Sequence, residues 1–156
     1  MLYFIDGEPV FFTSKYLVLK SGDLAFRIFV NSETIKKIQS KDKEEKMRIF
    51  VYLNVKEDAL ELYGFLTKEE LEFFELLNSV AGVGPKSALS LIGQNDINNL
   101  KAAILGNKIE VLTKTSGIGR KTAERIILEL KSKVTTEEGA IEGLESDIEL
   151  EDALLD

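Results

Sequence analysis

Two short stretches of the chain combine glycines, a cation and a hydroxyl in an order suited to holding an anion. Val80-Ala-Gly-Val-Gly-Pro-Lys-Ser-Ala-Leu89 and Thr115-Ser-Gly-Ile-Gly-Arg-Lys-Thr-Ala-Glu124 share the pattern Gly-h-Gly-x-Lys-(Ser/Thr)-Ala, with h a branched aliphatic. The two copies, beginning at Gly82 and Gly117, lie 35 residues apart. Glycines permit backbone angles that a side chain forbids and allow a ligand to approach the amides closely. Amides at the start of a helix attract phosphate. Val83 and Ile118 are the apolar residues expected to pin each turn to a core. Lys86, Arg120, Lys121 and Arg125 supply charge beside it, and Ser87 and Thr122 supply hydroxyls. A second candidate is the carboxylate pair Glu57-Asp58, which as residues alone suits a metal, an acid/base pair or simply a solvated turn.

Other chemistries are excluded by what is missing. The chain has no Cys and no His. There is therefore no thiolate nucleophile, no Cys-based zinc or iron–sulfur site and no Ser-His or Cys-His pair. Glu57 and Asp58 have no His or third ligand beside them, so neither a metal nor a cofactor is expected.

Three phosphate-binding designs compete for the repeat. A Walker loop needs Gly immediately before Lys-(Ser/Thr) and four residues between its glycines. Here Pro85 and Arg120 precede the Lys, and the glycines are separated by one residue. A dinucleotide fingerprint needs a preceding strand and a third glycine, but apolar helical segments precede both copies. The remaining design is a helix-hairpin-helix, two short helices joined by a Gly-h-Gly turn. It grips phosphate without reading bases, so binding should be sequence-independent and salt-sensitive.

The surrounding elements fit that design. Residues 1 to 65 read as short strands: Leu2 to Ile5, Val10 to Thr13, Tyr16 to Lys20, Ala25 to Val30, Arg48 to Asn54 and Leu60 to Phe65. Asp6-Gly7, Ser21-Gly22-Asp23 and the charged stretch 31 to 46 separate them. This predicts a five- or six-stranded barrel with one irregular crossing at 31 to 46. From Thr67 the apolar period becomes helical. Thr67-Lys-Glu-Glu70 is a capping box, and Leu71, Phe74 and Leu77 follow on one face. Further helices are expected at Pro85–Ile92, Asp96–Leu105, Lys108–Leu112 and Arg120–Lys133. The fold class is thus multi-domain, β then α. Residues 1–65 form the barrel, 66–134 a tandem helix-hairpin-helix domain, and 135–156 an acidic linker opening a truncated C-terminal domain.

Charge follows the same division. The chain has 20 basic and 27 acidic residues, a net charge of −7. Nine of the acids lie between Thr135 and Asp156, where there is no Lys or Arg. The segment from Gly82 to Val134 has nine basic residues against four acidic ones. A basic module followed by an acidic tail is an asymmetry of chains that meet polyanions. The first residues lack the basic region of a secretory signal and no segment is long and apolar enough to span a membrane, so a cytoplasmic protein is expected.

The chain resembles the RuvA family, the Holliday-junction-binding subunits of the bacterial RuvAB branch-migration complex. The resemblance rests on Glu57-Asp-Ala-Leu-Glu-Leu-Tyr-Gly-Phe65, Gly82-Val-Gly-Pro-Lys-Ser-Ala88 and Gly117-Ile-Gly-Arg-Lys-Thr-Ala-Glu-Arg125, and covers roughly residues 1 to 135. It implies an OB-like barrel, tandem hairpins, a homotetramer holding a four-way DNA junction, and the ATPase RuvB as partner. It also implies roles in recombination, DNA repair and the SOS response. Glu57 and Asp58 become an acidic pin that repels phosphates at the crossover, and no residue becomes catalytic. Ala81 and Ser116 stand where the family usually has Asn and Pro. The family's RuvB-engaging C-terminal domain is present only as its apparent start. A helix-hairpin-helix repair enzyme, a glycosylase/lyase or nuclease fragment, is the alternative.

Overall fold

The computed structural model describes residues 1–42 and 45–134. The acidic segment 135–156 lies outside the described residues.

Five strands close into a barrel in the order β1-β2-β3-β5-β4. They are β1 (Phe4–Phe12), β2 (Tyr16–Ser21), β3 (Leu24–Phe29), β4 (Met47–Val55) and β5 (Leu60–Phe65). All neighbours are antiparallel except β3 and β5, which pair in parallel through Ile28↔Leu62 and Phe29↔Tyr63. Side chains alternate inward and outward along each strand. Ile5, Leu17, Leu19, Ile28, Ile49 and Val51 therefore fill the interior.

Two expectations change. The segments 2–5 and 10–13 are not separate strands, because Asp6-Gly7 lies inside β1. Gly7 is there for close approach: a Cβ would run into the Lys20 carbonyl of the neighbouring strand. The crossing at 31 to 46 is not irregular either, since it contains a helix, α1 (Ser32–Gln39). Asn31 caps it, its Oδ1 accepting from the Thr34 amide at 2.8 Å. Ile35 and Ile38 lie on one face and join the barrel core. Charge had hidden that buried stripe, which only three positions carry (Thr34, Ile35 and Ile38).

The helices begin two residues after the barrel ends. They are α2 (Lys68–Ser79), α3 (Pro85–Gln94), α4 (Ile97–Leu105), α5 (Ile109–Thr113) and α6 (120–134). The capping box operates at α2, where Thr67 Oγ1 accepts from the Glu70 amide at 3.2 Å. Phe74 of α2 holds the helices to the barrel. Its ring packs against Tyr52, Tyr63 and Phe65 at centroid distances of 5.3, 5.7 and 4.8 Å. Tyr63 and Phe65 thus belong to the helical core as well as to β5. Gly93 completes the joint: a Cβ there would lie 2.7 Å from that of Asn31, so α3 meets the α1 cap at backbone distance. No helix among the described residues is long and apolar enough to cross a membrane.

Candidate nucleic-acid interface

Each Gly-h-Gly sits where the chain reverses between helices, α2 to α3 and α5 to α6. The turns are built alike. The Val83 amide donates to the Val80 carbonyl at 3.0 Å, and the Ile118 amide to the Thr115 carbonyl at 3.1 Å. Val83 and Ile118 are buried, as expected. The helix following each turn starts with the Ala88 amide bonding to the Gly84 carbonyl (3.0 Å) and the Ala123 amide to the Gly119 carbonyl (2.9 Å). The amides ahead of those bonds have no acceptor within their helix. At the first elbow they are Lys86 and Ser87, since Pro85 has no N–H. At the second they are Arg120, Lys121 and Thr122. The second elbow therefore offers one more donor and, with Arg120 and Arg125 in place of Pro85 and Ser90, two more cations.

The four glycines do two different jobs. Gly82 and Gly117 have φ of +90° and +88°, the left-handed region that disfavours any side chain. Gly84 has φ −81° and ψ 168°, which any residue can adopt. A Cβ at Gly84 or Gly119 would meet nothing within 4 Å. A side chain would fit at these two positions without a clash, so packing does not demand glycine there.

The two hairpins also brace each other. A Cβ at Gly117 would lie 2.7 Å from Ser87 Oγ, and one at Gly82 would lie 3.4 Å from Thr122 Oγ1. Ser87 and Thr122 are half-buried, each set against the other hairpin's elbow. The structure thus brings the predicted glycines and hydroxyls into one bipartite unit. Lys86, Arg120, Lys121 and Arg125 are exposed on the helices that leave it. Arg120 Nε bonds Glu124 Oε1 at 3.2 Å across one helical turn. Both partners are largely exposed, so the pair contributes little and Arg120 stays available to a stronger anion.

One residue that positions the second elbow escaped the sequence reading. Thr115 is buried and donates from Oγ1 to Gln94 Oε1 at 2.9 Å, tying the end of α3 to the second turn. Its signal lay in the repeat: Val80 occupies the corresponding position, and Thr is the isosteric polar replacement.

Glu57 and Asp58 occupy the two-residue tip between β4 and β5, closed by the Lys56 amide on the Ala59 carbonyl at 2.8 Å. Both are exposed, with no hydrogen bond or ion pair among the described residues. Below the tip, Glu61 accepts from Lys56 Nζ (3.0 Å) and from the Tyr63 hydroxyl (2.9 Å), which hold its carboxyl below the usual range. Burial, with the Glu61 carboxylate, pushes the Tyr63 hydroxyl up. Among the described residues no three Asp, Glu, His or Cys gather as a metal site.

Known proteins match this arrangement along most of its length. Residues 1–64 match the family model for the RuvA N terminal domain. Residues 74–132 match that for the SAM-like helix-hairpin-helix tandem. The chain is 42% identical over 138 residues to the Holliday junction branch migration complex subunit RuvA of Acetivibrio thermocellus, spanning 88% of this chain and 67% of that protein. It is 41% identical over 152 residues to the protein of the same name from Clostridium perfringens, covering 92% and 74%. The counterpart in Thermoanaerobacter pseudethanolicus is 42% identical over 137 residues, covering 88% and 72%. A barrel bearing an acidic tip, joined to two mutually braced Gly-h-Gly elbows in the same order and at this level of identity, places the chain in the RuvA family.

Proposed function

We propose that this chain binds four-way DNA junctions by structure rather than sequence, as the non-catalytic subunit of a branch-migration helicase in recombination and repair. ATP hydrolysis belongs to a RuvB partner. The observation that carries the reading is the pair of open elbows, with free space beside Gly84 and Gly119 at the starts of α3 and α6 and cations at Lys86, Arg120, Lys121 and Arg125. Val83 and Ile118 anchor the elbows, Gly82 and Gly117 shape them, and Ser87 and Thr122 lock them together. Residues 66–134 grip backbone phosphates, while the barrel, 1–65, carries the acidic tip. In a cytoplasmic homotetramer, four Glu57-Asp58 tips meet at the crossover and repel the phosphates of a continuous duplex, favouring separated strands. Attraction around a repelling centre selects junctions by penalising the wrong ligand.

Two charge changes test this, read by gel shift on a synthetic four-way junction and on a plain duplex. Arg120→Glu with Lys121→Glu weakens both complexes and flattens their salt dependence. Glu57→Gln with Asp58→Asn raises duplex affinity. Unchanged duplex affinity in the second variant removes the pin, and unchanged binding in the first removes the hairpin interface. A repair enzyme would instead cut abasic or flapped DNA in Mg²⁺; no cleavage is expected.

A further inference from the structure

Two clefts flank the joint between barrel and hairpins, and their charges are opposite. One, of about 700 Å³, is lined by Glu33, Glu69, Glu70, Asp96 and Lys37, with Lys36 and Lys101 pairing Glu33 and Glu69 from outside it, and stays net acidic. The other, of about 360 Å³, lies between the β1–β2 turn and α3. Its lining contains Lys15 and Lys86 and no Asp or Glu; Phe29, Tyr63 and Leu89 give it an apolar wall. Neither lysine has an ion-pair partner among the described residues.

The backbone that carries Lys15 is fixed. Thr13 Oγ1 accepts from the Lys15 and Tyr16 amides at 3.1 and 3.2 Å, and the Thr13 amide donates to the Tyr16 carbonyl at 2.9 Å. The Lys15 carbonyl in turn accepts from the Val30 amide at 3.1 Å, tying the turn to the end of β3. Lys86 belongs both to this cleft and to the first turn of α3, beside the open Gly84 elbow.

We infer that the cleft is a second backbone-phosphate seat, with Lys15 on the barrel and Lys86 on α3 as its cations. A strand leaving the first elbow passes Lys86 and meets next a cleft that is positive and free of carboxylates. The neighbouring acidic cleft repels it. The barrel thereby grips DNA in addition to carrying the repelling tip. This inference rests on the DNA-binding reading given above.

Salt titration of junction binding by the whole chain tests it, following fluorescence anisotropy. Removing one cation–phosphate pair lowers the slope of log K against log salt by roughly 1. The proposed tetramer presents Lys15 four times, so Lys15→Gln should reduce the slope by roughly 4 and lower junction affinity at about 0.1 M salt by roughly a thousandfold or more. Lys15→Arg should restore both, and neither change should move the melting temperature, since the side chain is exposed. Wild-type affinity and slope in Lys15→Gln, with binding weakened in Arg120→Glu/Lys121→Glu, overturns the seat and leaves the elbow reading intact. If neither variant alters binding, both fall.

Discussion

Gly84 and Gly119 face open space, whereas Gly82 and Gly117 are held at positive φ against the other hairpin's hydroxyl. Alanine scanning should therefore split one motif into two classes. Gly84→Ala and Gly119→Ala should melt within a few degrees of wild type, or slightly above it because the unfolded chain loses freedom. They should nonetheless lose about tenfold in junction affinity, equivalent to roughly 1.4 kcal/mol, because a methyl group takes space beside the elbow that the proposed phosphate approaches through. Gly82→Ala and Gly117→Ala should cost about 1–3 kcal/mol of stability, with Gly117 the worse, since its methyl group would press on Ser87 Oγ. Denaturant titration alongside anisotropy separates the classes. The repeat singles out all four glycines. Which pair the backbone itself requires was not legible, because a glycine held at positive φ and one in ordinary extended backbone are written with the same letter.

Among the elements, α2 is the one whose removal should be most damaging. Phe74 packs on three barrel rings and is fully buried, so Phe74→Ala should cost about 3–5 kcal/mol and loosen the hairpins from the barrel. Urea unfolding should show that cost as a lower midpoint. The β4–β5 hairpin beneath the acidic tip has a pH signature. Glu61 is held below its ordinary value near 4.5, first by Lys56 and then by the Tyr63 hydroxyl. A carboxyl lowered on folding adds stability that is complete above its unfolded value and disappears as pH falls through its folded one. The stability difference between wild type and Glu61→Gln should thus be level above about pH 5 and shrink below about pH 4, by thermal melts across that range. Helix starts were easy to read because caps are local: Thr67 and Asp96 act within three residues of themselves. The helix α1 was not, because six of its eight residues are polar or charged and its buried face makes sense only against a barrel. Likewise Gly7 looked like a turn, since the strand that crowds it lies more than ten residues away in sequence.

Across the whole molecule, the orientation of elbows relative to acidic tip depends on the joint where Gly93 meets Asn31. Gly93→Ala forces these backbones apart, because the new Cβ would lie 2.7 Å from that of Asn31. Each elbow stays intact, so duplex affinity should hold. The preference for junction over duplex should fall severalfold, since that preference depends on where the tip sits relative to the grip; competition gel shifts would read the ratio. The basic module and the strand-then-helix order were visible in one dimension, as charge and period. The packing of Ser87 on Gly117 and of Thr122 on Gly82 was not, because 30 and 40 residues separate the partners and no periodicity links them. That interlock makes the two seats a caliper with one set opening. On the proposed reading neither jaw shifts without dragging the other, so the protein would measure a single spacing along its ligand and turn away backbones that do not offer it.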